Sequence, residues 1–147
     1  MSNELFLGDI TFHISPDKEE SARVALAEVA EKRVGTEDWH AGDIQEMADG
    51  RECEVTELTL DDLVQCWGWS LIRADNQTQE IIGIDLLEDF SSDEETLFET
   101  LAPFVAAGNF IDLEGRSIDG YWQKRYGFTG KRVVELEKAY SAVPIEE

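Results

Sequence analysis

Basic residues are what this chain has least of for its size. Five lysines and seven arginines stand against 33 aspartates and glutamates, a net charge of −21 over 147 residues. A surface so negative repels nucleic acid and anionic lipid. It attracts basic proteins, among them most enzymes that grip nucleic acid. Long apolar runs are also missing: none approaches the roughly 18 residues of a membrane span. The opening MSNELFLGDITFHIS has no basic region and carries Glu4 and Asp9 inside its apolar stretch. It does not read as a signal peptide, so the expected location is the cytoplasm.

Histidine and cysteine are scarce, two of each: His13, His40, Cys53 and Cys66. Their spacing fits no zinc pattern, and the cysteines read as two reduced thiols. The glycines are scattered through turns. Neither a phosphate-cradling glycine loop nor a G-x-S-x-G nucleophile elbow occurs. Carboxylates abound, but an acid–base pair needs one of them in an apolar cleft. Asp85, inside IIGIDLL, is the most apolar-flanked. Alternation puts it with Gly83 and Leu87 on an outer sheet face, opposite Ile82, Ile84 and Leu86. EF-hand spacing is absent. Asp89, Asp93, Glu94 and Glu95 are explained as acids that complement the N-terminal end of a helix dipole. The expectation is a protein that is not an enzyme, with no cofactor and no metal.

What is present suffices for a core. Hydrophobic residues make up 42% of the chain, with four Trp, seven Phe and three Tyr, and the length suits a single domain over 1–147. Residues 5–14 alternate as a strand, with Phe6, Ile10, Phe12 and Ile14 on one face. Ser15-Pro16 opens a helix to about Arg33, with Ala22, Ala25, Leu26 and Val29 as its apolar stripe and Gly35 as its stop. Residues 36–52 read as a long loop with at most a turn of helix around 44–48, and hold Trp39 as a candidate anchor. Residues 53–60 alternate as a strand, and 66–74 with 80–87 form a hairpin. Ser91 or Ser92 caps a second helix, buried through Leu97, Leu101, Phe104 and Val105, kinked late by Pro103 and stopped by Gly108. Strands at 109–114, 121–128 and 132–140 close a meander through turns at 117–120 and 129–130. The expected fold is α+β: one antiparallel sheet of about five or six strands with two helices on one face, ferredoxin-like or related.

The charge is uneven. Residues 1–114 hold 28 acids and six bases, residues 115–134 hold Asp119 against five bases, and residues 135–147 hold four acids and Lys138. Between Arg73 and Arg116 there are eleven acids and no base. A helix acidic only for solubility usually interleaves lysine at i,i+4, and the helix after Ser92 does not. The expected partner-binding residues are therefore Glu88, Asp89, Asp93, Glu94, Glu95 and Glu99, then Asp61 and Asp62, with Trp39. The basic 115–134 segment is expected to pair with the chain's own acids.

The run Leu101 to Val105, then Gly108, Phe110-Ile111, Gly115 to Gly120, Trp122 and Gly130-Lys131, resembles a pattern in small acidic uncharacterised proteins of bacteria and their phages. Those proteins tend to carry Gly-Glu-Asp-Gly in the turn where this chain has Gly115-Arg116-Ser117-Ile118-Asp119-Gly120. The resemblance covers about thirty residues and implies a fold. By physical type the chain is also similar to anti-restriction and anti-CRISPR inhibitors that imitate DNA. The expected function is an inhibitor presenting a DNA-mimicking negative surface to a basic nucleic-acid-binding protein or complex, with no direct nucleic acid and no membrane contact. The alternatives are an immunity protein that neutralises a basic nuclease toxin, and a salt-adapted domain of other function.

Overall fold

The structure is a computed structural model that describes residues 4–36, 41–87, 93–118, 120–136 and 142–146. It is α+β, but its strands form two sheets. Strands β1 (Glu4–Thr11), β4 (Phe110–Ser117), β5 (Gly120–Phe128) and β6 (Val133–Leu136) make an antiparallel sheet in the order β1-β4-β5-β6. Strands β2 (Trp69–Arg73) and β3 (Ile81–Leu86) form a separate hairpin. Among the described residues a single bridge joins the two, with the Ile14 amide donating to the Ile81 carbonyl at 3.1 Å. The described residues hold four α-helices: α1 (Pro16–Arg33), α2 (Ala41–Gly50), α3 (Leu60–Cys66) and α4 (Glu94–Leu101). This replaces the expected single sheet of five or six strands with two helices.

Capping chemistry explains the largest departure. The alternating 53–60 segment is not a strand. Glu54 and Glu57 form a reciprocal capping box around a 3-10 turn at Val55–Glu57. Thr59 then caps α3, its hydroxyl accepting from the Asp62 amide at 3.1 Å. Caps of this kind satisfy backbone donors that a strand edge would leave open. Val55, Leu58 and Leu60 still reach the core, but from a turn. Residues 41–50, read as loop, are the helix α2, because Ile44 and Ala48 lie one turn apart and are both buried. Pro103 does not kink α4. It sits in the 3-10 turn Ala102–Phe104 after the helix has ended at Leu101.

Two β-bulges break the period-two readings. Leu7 faces Leu113 while Ile10 faces Ile111, so β1 carries an extra residue near Gly8-Asp9. The phase flips there: Leu5 is buried and Phe6 is 40% exposed, whereas Phe12 and Ile14 are buried. In β3, Gly83 faces Ile72 and Ile81 faces Arg73. Ile82 is therefore extruded to 49% exposure while Ile81 and Ile84 stay inside. One inserted residue is enough to exchange the faces of a strand.

The core is centred on Phe98 of α4. Its ring meets Trp69 of β2 at 5.3 Å, Tyr126 of β5 at 5.0 Å and Phe128 at 6.1 Å, all edge to face. Phe12 of β1 adds an edge contact on Phe128 at 5.7 Å. One helix thus bridges both sheets, and α1 packs behind it against α3 and α4. Phe98→Ala is expected to cost about 3–5 kcal/mol in urea unfolding, with loss of cooperativity between the sheets. A cost below about 1 kcal/mol would contradict this packing.

Candidate acidic interface

Arginines decide which carboxylates are free. Among the described residues six of the seven arginines lie in ion pairs, and most of these join different elements. Arg73 of β2 donates to both oxygens of Asp61 on α3, at 2.5 and 3.2 Å, and to Glu19 on α1 at 2.6 Å. Those hydrogen bonds, Asp61 first, hold its pKa above the ordinary guanidinium range. Arg33, in the last turn of α1, reaches Asp93 at 2.6 Å and lies 5.2 Å over the Trp67 ring. Arg51 donates to Asp62 at 3.0 Å. Arg125 makes a two-point contact with Asp112 at 2.7 and 3.0 Å, buried, and stacks 3.8 Å over Phe110.

The acids expected to meet a partner are therefore divided. Asp61, Asp62 and Asp93 are each held by one of the chain's own arginines. Asp62 and Glu94 are only 7% exposed, so neither presents its carboxylate to solvent. Asp93 stands at the N-terminal cap of α4 with φ 59°, where Ser91 or Ser92 was expected. Glu95 and Glu99 are exposed on α4. Glu88, Asp89, Trp39, Ser91 and Ser92 lie outside the described residues. In the basic segment, Arg125 pairs with Asp112, Lys124 with Glu135 at 3.7 Å and Arg132 with Glu146 at 3.0 Å. His13, expected to face solvent, is half-buried, and its Nε2 lies 2.9 Å from Glu80. Asp85 is exposed, as its position on the outer face implies.

A different set of acids is brought together without such clamps. The C-terminal end of α2, the loop after it and the 3-10 turn form a groove of about 330 Å³ lined by Asp49, Glu52, Glu54 and Glu57 over Ala48 and Cys53. It continues into a second groove of about 170 Å³ that shares Ala48, Cys53 and Glu54 and adds Glu31 of α1. Glu28 and Glu31 are exposed on the adjoining turn of α1, and Asp43 and Glu46 on α2. The capping box fixes Glu54 and Glu57, with the Glu54 amide donating to the Glu57 carboxylate at 3.1 Å. A signal for this face was present: between Arg33 and Arg73 ten acids accompany only Arg51. It was masked by reading 36–52 as a long loop with no more than one helical turn.

Glu52 is the most unusual member. It has φ 54° and follows α2 as the left-handed residue of a helix-ending turn. The Cys53 amide donates back to Ala48 and the Glu52 amide to Asp49, each at 3.1 Å. Glycine or asparagine normally fills this position. Glutamate there bears backbone strain, and its charge meets the negative end of the helix dipole. Beneath these acids, partial burial and then Glu57, Asp62 and Glu54 hold the Cys53 thiol above its ordinary range; outside the groove, burial pushes Cys66 up to about 12.

A second acidic contact lies on α4. Glu95 hydrogen-bonds Glu135 of β6, which raises its pKa above the ordinary carboxyl value; partial burial, the Glu135 charge and Glu94 add to this and Lys124 opposes it. Burial, followed by Glu94, Glu135 and Glu95, raises the Tyr126 hydroxyl as well. Among the described residues no group of three or more His, Cys, Asp or Glu is placed to hold a metal ion, and no helix is long and apolar enough to cross a membrane.

No protein-family model, curated protein or solved structure matches this chain.

The Glu95–Glu135 contact gives a signed pH dependence. Because the folded pKa of Glu95 is raised, the stabilisation of the shared proton is complete below the ordinary carboxyl range and lost as pH rises past the raised value. Glu95→Gln keeps a donor to Glu135 at every pH. Its melting temperature is expected to exceed that of the wild type at pH 7.5, with the difference vanishing near pH 4. An equal difference at both pH values would contradict the shared proton.

Proposed function

We propose that this protein inhibits a basic nucleic-acid-binding enzyme by presenting a DNA-like negative surface, and that the working surface is the groove face of Asp49, Glu52, Glu54 and Glu57 with Glu31. It acts in the cytoplasm, as a binding protein and not an enzyme, and its partners are RNA-guided nucleases, restriction enzymes or comparable basic complexes. Duplex DNA offers a groove-binding enzyme about one negative charge per 1.7 Å of axis. A short surface dense in carboxylates competes for the same lysines and arginines, and the counterions released on binding favour the exchange.

The observation that carries this reading is Glu52. A sequence selected only for fold stability places glycine at a left-handed helix end. Here the position holds a carboxylate, beside Glu54, Glu57 and Asp49, with no arginine clamp of its own among the described residues. Stability given up locally at an exposed charged site is a common mark of binding surfaces. The acids of α1, α3 and α4 behave differently where they meet arginines, because they serve the fold.

Competition against labelled duplex DNA tests the proposal, using a panel of RNA-guided nucleases, restriction enzymes and nuclease toxins. At least one of them is expected to release DNA on addition of this protein. Binding should weaken steeply as salt rises from about 50 to 500 mM, where the Debye length falls from about 14 to 4 Å. Glu52→Gly is expected to do two opposite things: raise folding stability by about 1 kcal/mol and weaken that binding. Salt-independent binding, or a Glu52→Gly variant that binds as well as the wild type, would overturn the reading. A response confined to one nuclease toxin would favour the immunity-protein alternative. Unfolding at low salt with no response from the panel would favour a salt-adapted domain.

A further inference from the structure

We infer that this chain forms a two-fold dimer through the outer face of its β4–β5 hairpin. That face is the one opposite Tyr126 and Phe128, and its two ends differ. Near β6 it is covered by the chain's own segment 142–146, where Val143 sits against Gly127. Toward the hairpin turn it is open. Phe6 is 40%, Tyr121 54% and Ile118 78% exposed; Phe6 and Tyr121 stand on β1 and β5, which flank β4, and Ile118 lies in the β4–β5 turn. Strand register places Phe6 beside Glu114, and Arg116 beside Tyr121. The guanidinium of Arg116 lies 5.1 Å over the Phe6 ring. Gln123 donates to Glu114 at 3.0 Å and approaches the Tyr121 hydroxyl at 2.7 Å. Aromatic side chains and arginine on a rigid sheet are the residues that carry interface energy.

Charge selects the occupant. Two copies of a chain at −21 repel each other over most of their surfaces. On this patch Arg116 balances Glu114 among the described residues, so a second copy meets less repulsion here than over the acid-rich remainder of the surface. The patch is also self-complementary. Glu114 and Arg116 are two residues apart on β4 and share a face. A two-fold axis between them sets each Arg116 against the other copy's Glu114, as an isologous interface requires. The acidic groove belongs to α1, α2 and the 3-10 turn, so dimerisation leaves it open and presents it twice.

Sedimentation or light scattering over a concentration series reads the outcome, with circular dichroism reporting the fold of each variant. The wild type is expected at twice 16.6 kDa. Arg116→Glu faces Glu114 across the axis and is expected to raise the dissociation constant tenfold or more, about 1.4 kcal/mol or above. Tyr121→Ser is expected to weaken the dimer as well. The double variant Glu114→Arg with Arg116→Glu restores opposite charges and with them the dimer. A wild type that stays monomeric up to about 0.5 mM overturns the proposal. So does a dimer indifferent to Arg116→Glu, or a double variant no better than Arg116→Glu alone. These outcomes do not depend on whether the acidic groove binds a nuclease.

Discussion

The constraint on which the rest of this structure depends is the shortage of arginine in a chain of 33 acids. Arg73 fastens the β2–β3 hairpin to α3 and α1. Arg33 fastens the end of α1 to the start of α4. Arg51 ties the end of α2 to α3. Arg125 neutralises Asp112 inside the sheet, and Arg132 secures segment 142–146. Without Arg73 the carboxylates of Asp61 and Glu19 would converge on one point unneutralised, and without Arg125 the buried Asp112 would lose its counter-charge. A planar guanidinium with several fixed donors suits the task, because one side chain can answer two carboxylates.

The division of acids follows from that. Carboxylates that meet an arginine are parts of the fold, whatever their density along the chain. Those gathered at the end of α2 and around the 3-10 turn, where Arg23 meets only the backbone carbonyls of Thr56 and Leu58, keep their charge for solvent or for a partner. Glu52 marks the boundary, since its backbone would suit glycine better. The Phe98 cluster makes this affordable. Three edge-to-face contacts hold the sheets and α4 together independently of the acidic rim.

Much of the architecture was legible from local chemistry. Ser15-Pro16 and Gly35 marked α1 because capping and helix termination are local. The hairpin and the meander were legible because turn residues announce themselves. The strand misread at 53–60 shows where this ends: alternation and a capping box coexist there, and the caps win because Glu54, Glu57 and Thr59 each satisfy a backbone donor. The bulges at Gly8-Asp9 and Ile82 were not legible, since an inserted residue leaves no signature in the apolar pattern. Nor was the acidic groove at the end of α2. Counting charges along the chain pointed to 74–115, but Arg33 and Asp93 are 60 residues apart and Arg73 and Glu19 are 54 apart. Neutralisation across such distances is a property of the fold.

The central claim is that the carboxylates left without arginines are the binding surface. Amide hydrogen exchange of this chain in complex with a nuclease whose DNA binding it blocks tests that claim most directly. The account predicts slowed exchange across residues 45–57, with α4 unchanged at 94–99. Protection at 94–99 with 45–57 still exchanging freely would contradict it.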